Sequence, residues 1–210
     1  RQRQMCIRDR GIDSGRLEIV LMQLVRLMQD GEIVRMSKRT GKAITLNDLL
    51  EDVSIDAARF FFNMRGAGSH LDFDLSLAKE QSNDNPVFYV QYAHARICGI
   101  LRLLSEEGIN VKPYAEIKPE LLTDETELDL LKKLSDLPEE IRISAESLEP
   151  SKMTRYVMDL ASAFHTFYNA CRVNVEDEDL RDCRMKLIDC TRQVIAGVLN
   201  MLKITAPEKM

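Results

Sequence analysis

The sequence predicts a mainly α chain in which a short α/β stretch precedes a bundle of antiparallel helices. Three observations carry this. After residue 85, apolar residues recur at spacings of three and four over long runs. Cap residues open and close those runs, as with Asn85-Pro86 and Gly108. Before residue 46, two short β-forming patches flank a cluster of basic residues instead. The 210 residues suit one domain or two small ones, and a hydrophobic share of 45% is enough for a core. Six prolines and nine glycines exclude a disordered or collagen-like chain.

The elements follow in order. Residues 1–10, RQRQMCIRDR, match no helix or strand pattern and form an uncertain or artefactual start. Arg16 to Leu21 (RLEIVL) reads as a buried strand, and Gln23 to Gln29 as a short connection that a helix would suit. Asp30-Gly31 marks a turn. Glu32 to Arg35 and Ala43 to Thr45 bracket the basic loop. Thr45 caps a short helix through Leu50, and Asp56 caps the next, Ala57 to Met64, which Gly66 and Gly68 end. His70 to Ser76 (HLDFDLS) alternates, so an extended segment turns into a short helix at a junction. Asn85 caps a helix with Pro86 at its first position, running to Gly108, roughly 33 Å. Thr123 caps a helix over Asp124 to Leu134, and Pro138 starts another. Glu149-Pro150 opens a long helix whose Met153, Tyr156, Val157, Leu160, Phe164, Phe167 and Tyr168 recur at three and four. Leu180 to Leu202 is the last, with Leu187, Val194, Val198 and Met201 on one stripe. Such seams pack into a bundle.

Composition narrows the function. The five cysteines (Cys6, Cys98, Cys171, Cys183, Cys190) include no CxxC pair, which predicts free thiols and a reducing, cytoplasmic location. Cys183 and Cys190 lie seven apart and read as small buried hydrophobes before zinc ligands. The three histidines are far apart, so no metal site is expected. No run is long and apolar enough to span a membrane, and no membrane partner is expected. Net charge is -5, unevenly spread: residues 1–42 carry ten basic against five acidic, 111–150 five against eleven, and 151–210 nine against eight. A nucleic acid would touch the basic head and the last helices, and not the whole surface.

The basic loop holds Arg35, Lys38, Arg39 and Lys42 among Ser37, Thr40 and Gly41. Lysine point charges, arginine forks and a glycine that lets the loop close suit a polyphosphate. A solvated basic hairpin explains the composition equally well. A phosphate loop of the GxxxxGK[ST] type fails twice, because Ala43 follows Lys42 and Met36 stands where the first glycine belongs.

The order of residues says more. Met36-Ser37-Lys38-Arg39-Thr40-Gly41 resembles the KMSKS loop of class I aminoacyl-tRNA synthetases, in the MSKR-x-G form of arginyl-tRNA synthetases. RLEIVLMQLVRLMQDGEIVRMSKRTG is similar to that family's approach to the loop, and IDAARFFFNMRGAGSHLDFDLSLAKEQSNDNPVFYVQYAHARI to the segment after it. FHTFYNACRV and TAPEKM resemble its helical anticodon-binding domain. The likeness covers nearly everything after residue 10. It implies a remnant of a Rossmann-like catalytic domain over 11–45, a stem-contact junction over 46–84 and a helical anticodon-binding domain over 85–210. It implies ATP-dependent charging of tRNA(Arg) with L-arginine through arginyl-adenylate, with Mg2+ accompanying ATP, no protein-bound metal and a monomer at full length. Lys38 would stabilise the leaving pyrophosphate while Ser37 and Arg39 shape the loop; Met36 and Gly41 complete the ATP-binding set.

The resemblance also assigns tRNA contacts to Gln91, Tyr92, His94 and Arg96 of QYAHAR, and to Arg155, Tyr168, Arg172 and Met210. Tyr92 and Arg96 share a helix face at i,i+4, and Gln91 and His94 another at i,i+3. His94 is the histidine expected beside the candidate surface, through packing or RNA contact. Periodicity alone makes Tyr168 a core aromatic. Asp72 and Asp74 would repel phosphate and so hold their loop by caps and turns. Arg35 replaces the usual opening lysine of the loop signature and Arg39 its final serine. The HIGH signature that holds ATP is absent from these residues, so the chain is expected to be a C-terminal part, inactive alone, with exposed apolar side chains at Leu17, Ile19, Leu21 and Leu24. The alternatives are a cysteinyl- or methionyl-type synthetase, or a non-catalytic tRNA-binding module. The cysteinyl type calls for zinc ligands that the cysteine spacing does not offer.

Overall fold

In the computed structural model, residues 10, 11, 13, 19–34 and 45–210 are described. The basic loop with Met36, Ser37, Lys38, Arg39 and Gly41, together with Leu17 and Cys6, therefore lies outside the described residues.

A small mixed sheet comes first. β1 (Val25–Gln29) turns back onto β2 (Glu32–Ile33) as an antiparallel hairpin. The turn residues Asp30 and Gly31 have φ of 52° and 80°, the double left-handed geometry that an Asp-Gly pair allows. β3 (Leu71–Asp74) pairs with β1 in parallel, with Leu27 opposite Phe73. The strand order is β2-β1-β3. The sheet thus joins residues from both sides of position 46.

Of the strand expected at Arg16–Leu21, residues 16–18 lie outside the described residues. Ile19 to Leu24 belong to no regular element, and the strand is Val25–Gln29, where a helix-suited connection was expected. The reason is non-local. Val25–Gln29 meets β2 across a tight turn and β3 some 46 residues on, so both of its edges are paired. Ile19 is 43%, Leu21 82% and Leu24 81% exposed.

Two helices cross between the strands. α1 (Leu46–Asp52) opens on a capping box, with Thr45 and Asp48 exchanging bonds. α2 (Ile55–Asn63) is capped by Ser54, whose Oγ accepts from the Ala57 amide at 3.1 Å, and not by Asp56. The Asp56 carboxylate is engaged elsewhere, as described below. α3 (Leu75–Lys79) leaves β3 directly under an Asp74 cap. The Phe73 ring meets both Phe61 and Phe62 in tilted contacts, with ring centroids 5.3 and 5.1 Å away.

The rest is a helical bundle. Asn85 caps α4 (Pro86–Glu106), accepting from the Val87 amide and donating to the Glu80 carbonyl at 2.8 Å. Its cap therefore also ties α4 to the end of α3. Gly108, at φ 83°, ends the turn after α4. α5 (Glu125–Ser135) is capped by Asp124 with Glu127 in a capping box, one residue later than the expected Thr123. α6 (Leu137–Ser147), α7 (Ser151–Ala170) and α8 (Glu178–Met201) follow. α7 packs against α4, α5, α6 and α8, so it is the axis of the bundle. Its Tyr156, Val157, Leu160, Ala161, Phe164 and Phe167 are buried. The Glu127 carboxylate, 1% exposed, meets Arg184 at 2.6 Å, and Arg184 also donates to the Arg172 carbonyl at 2.7 Å. That pair pins α5 to α8, and the extra bond offsets part of the desolvation cost.

The residues after α8 fold back as a strap. Arg59 of α2 donates to the Leu202 carbonyl at 2.9 Å. The Asp56 carboxylate accepts from the Thr205 amide at 3.2 Å and from the Thr205 hydroxyl. Gln91 Nε2 donates to Asp56 Oδ2 and to the Thr205 carbonyl, each at 2.9 Å. Hence α2, α4 and the last residues meet at one polar junction. No described helix is long and apolar enough to cross a membrane.

Candidate nucleic-acid interface

α4 and α7 lie side by side, and their outer edges build an aromatic surface. Four-residue spacing puts Phe88, Tyr92 and Arg96 on one stripe of α4. On α7, Tyr168 lies one turn past His165 and Phe164. The Arg96 guanidinium covers both tyrosine rings, 4.9 Å from the Tyr92 centroid and 4.8 Å from the Tyr168 centroid. Its Nη2 also donates to the Tyr92 hydroxyl at 3.0 Å. Each cation–π contact is worth about 0.5–2 kcal/mol depending on desolvation. The cation is thereby oriented, and no carboxylate of the described residues forms an ion pair with it. Tyr168 is half-buried, its ring tilted against Phe164, so it is part core and part surface.

Beside this stack opens a cleft of about 610 Å³ lined by Ser82, Asn83, Tyr89, Tyr92, His165 and Asn169 among others. His165 packs against Tyr89 at 4.9 Å and lies near-parallel to Tyr92 at 6.2 Å. Burial, and then the Arg96 charge, hold its imidazole below the usual pKa, which keeps it neutral. His165, and not His94, is the histidine beside the aromatic face. Its place three residues before Tyr168 is the signal in the sequence that would have found it.

The other assigned residues separate into groups. His94 is 3% exposed, and its Nδ1 lies 2.8 Å from the Pro207 carbonyl, which fixes the proton on Nδ1. Gln91 belongs to the Asp56 and Thr205 junction. These two hold the strap, on a different face of α4 from Tyr92 and Arg96. Met210, 53% exposed, is carried by the strap to a second cleft beside Tyr92 and Arg96. Arg172 is exposed just past the end of α7, close in sequence to Tyr168. Arg155 is exposed on α7 but lies about 20 Å along the axis from Tyr168 and on a different side. It is not part of the aromatic face.

No group of three metal-binding side chains occurs among the described residues. Burial pushes the thiols of Cys98, Cys171, Cys183 and Cys190 above their ordinary pKa. Cys183 donates to the Lys118 carbonyl at 3.0 Å.

Fold and face together define a class: a helical bundle set behind a small α/β unit, presenting tyrosine rings and an arginine suited to unstacked bases. The chain belongs to the DALR anticodon binding domain family, whose model matches residues 90–210. It is 61% identical over 200 residues to the arginine--tRNA ligase of Ruminiclostridium cellulolyticum, covering 95% of this chain and 36% of that protein. The arginine--tRNA ligase of Acetivibrio thermocellus is likewise 61% identical over 199 residues, covering 95% of this chain and 35% of its own length. Among solved structures, a candidate arginyl-tRNA synthetase of Campylobacter jejuni superimposes with a TM-score of 0.82 at 28% identity, over 99% of this chain and 44% of that one. The Thermus thermophilus arginyl-tRNA synthetase gives 0.70 at 25% identity, over 88% of this chain and 34% of that one. The chain thus spans little more than a third of the length of the curated relatives it matches.

Proposed function

We propose that the chain is part of an arginine--tRNA ligase, in which the bundle receives the anticodon region of tRNA(Arg). The observation that carries this reading is the 61% identity along 200 residues with relatives of that name. The Tyr92–Arg96–Tyr168 stack supports it, because rings and a guanidinium plane offer stacking to bases taken out of a helix. In the full-length protein, ATP with its Mg2+ and L-arginine give arginyl-adenylate and pyrophosphate, and the arginyl group passes to tRNA(Arg). Lys38 neutralises the departing pyrophosphate, with Ser37, Arg39, Met36 and Gly41 shaping the loop around it. A monomer in the cytoplasm is part of the same proposal.

The test uses the full-length protein. Pyrophosphate exchange into ATP is expected with arginine and not with cysteine or methionine. Charging of tRNA(Arg) is expected to fall when anticodon bases are changed. Absence of arginine-dependent exchange overturns the ligase reading; charging indifferent to the anticodon overturns the role of the bundle.

A further inference from the structure

Tyr92 and Arg96 form a saddle between two clefts. The first, described above, holds His165 and Asn169. The second, about 350 Å³, is lined by Tyr92, Arg96, Arg102, Glu208, Lys209 and Met210. We propose that this second cleft binds a phosphodiester of the RNA strand whose bases meet the tyrosine stack, held by Arg102 and Lys209. The proposal rests on the ligase reading and adds to it a backbone site.

Charge is the first argument. Three cationic side chains line the cleft against the Glu208 carboxylate and the α-carboxylate of Met210, the last residue of this chain. Among the described residues, none of Arg96, Arg102 and Lys209 is in an ion pair, as is also true of Arg65, Arg155 and Arg172, whereas Arg142, Arg181, Arg184 and Arg192 are paired; what sets the first three apart is that they line one cleft. Arg192 is the instructive neighbour. It stands on α8, which packs against α4. Yet Asp189 holds it at 2.7 Å. Arg102 is exposed and left unpaired in a chain of net charge -5. An open cleft with more basic than acidic groups beside aromatic rings suits a strand whose bases go one way and phosphates the other.

Geometry is the second argument. Arg96 and Arg102 are six residues apart on α4, about 9 Å along its axis. Lys209 comes from the strap, which Asp56, Gln91 and His94 clamp at Thr205 and Pro207. The clamp therefore delivers a lysine to the cleft that Arg96 and Arg102 line from α4. It explains why a buried histidine and a glutamine are spent on a short tail.

The experiment measures binding of tRNA(Arg) and of one non-cognate tRNA to the full-length protein across a range of salt. Arg102→Ala is expected to weaken both RNAs by the same factor. It should also flatten the plot of log affinity against log salt by about 0.7–1. Lys209→Ala should do likewise, and Arg102→Lys should restore the slope. Arg142→Ala, in the acidic stretch, should leave it unchanged. Unchanged slopes in both alanine variants overturn the phosphate site. So does a loss of preference for tRNA(Arg) at constant slope, which would make Arg102 a reader of bases. A wild-type protein that binds both RNAs equally overturns the ligase reading instead.

Discussion

The bundle and the sheet region close their apolar surfaces in different ways. In the bundle, α7 packs against the four other bundle helices, and Leu160, Phe164, Phe167, Ile188 and Ile195 are all 0% exposed. In the sheet region, three short strands bury Leu27 and Phe73, while Leu21, Met22 and Leu24 stand 73–82% exposed just before them. Helices satisfy their own backbone, so a seam needs only another seam to close against it. A strand needs partners, and those of β1 come from one tight turn and from a segment far down the chain. The aromatic face was built where packing is self-sufficient. It is then tied back to the sheet region through the Asp56 junction.

A matched pair of truncations tests that contrast most severely. Phe164→Ala is expected to cost about 3–5 kcal/mol, whereas Leu24→Ala should stay within about 0.5 kcal/mol. Denaturant midpoints decide it, and equal costs would remove the distinction. Chemistry should divide along the same line. In the full-length protein, Lys38→Ala should slow pyrophosphate exchange by about 10²–10³-fold. Tyr168→Ala should leave exchange alone and raise the KM for tRNA(Arg), by the equivalent of about 1–3 kcal/mol if a base stacks there. A fall in exchange with Tyr168→Ala would mean that the face acts on the chemistry itself.

The smallest effect concerns pH. The imidazole of His165 is held below its ordinary pKa, so the folded protein binds fewer protons there than the unfolded chain. Its contribution to stability is present above the unfolded value of about 6.5 and is lost as pH falls through the folded one. His165→Phe should therefore lose less stability than the wild type between neutral and mildly acid pH. Melting temperatures measured in parallel would show it, and parallel curves would refute it.

Much of this protein was legible locally. Asn85-Pro86, the Thr45 and Asp74 caps, the Asp30-Gly31 turn and the long seam of α7 are short-range facts, because capping bonds and helical spacing span no more than a few residues. The pairing of Tyr92 with Arg96 is likewise one turn of one helix. The order of residues from Met36-Ser37-Lys38 through QYAHAR to the last residues points to the family without reference to the fold.

Other features required the chain to be folded. Which segment becomes β1 depends on Leu71–Asp74 coming alongside. That Tyr168 stacks on Arg96, that His94 turns inward to Pro207, and that Asp56 holds Thr205 and does not cap its own helix are contacts across 72, 113 and 149 residues. The sequence chose the helices and the residue types; only packing chose which of those residues meet. Backbone bonding in a helix is settled within four residues, whereas a side chain's partner is settled by every element that competes for the same space.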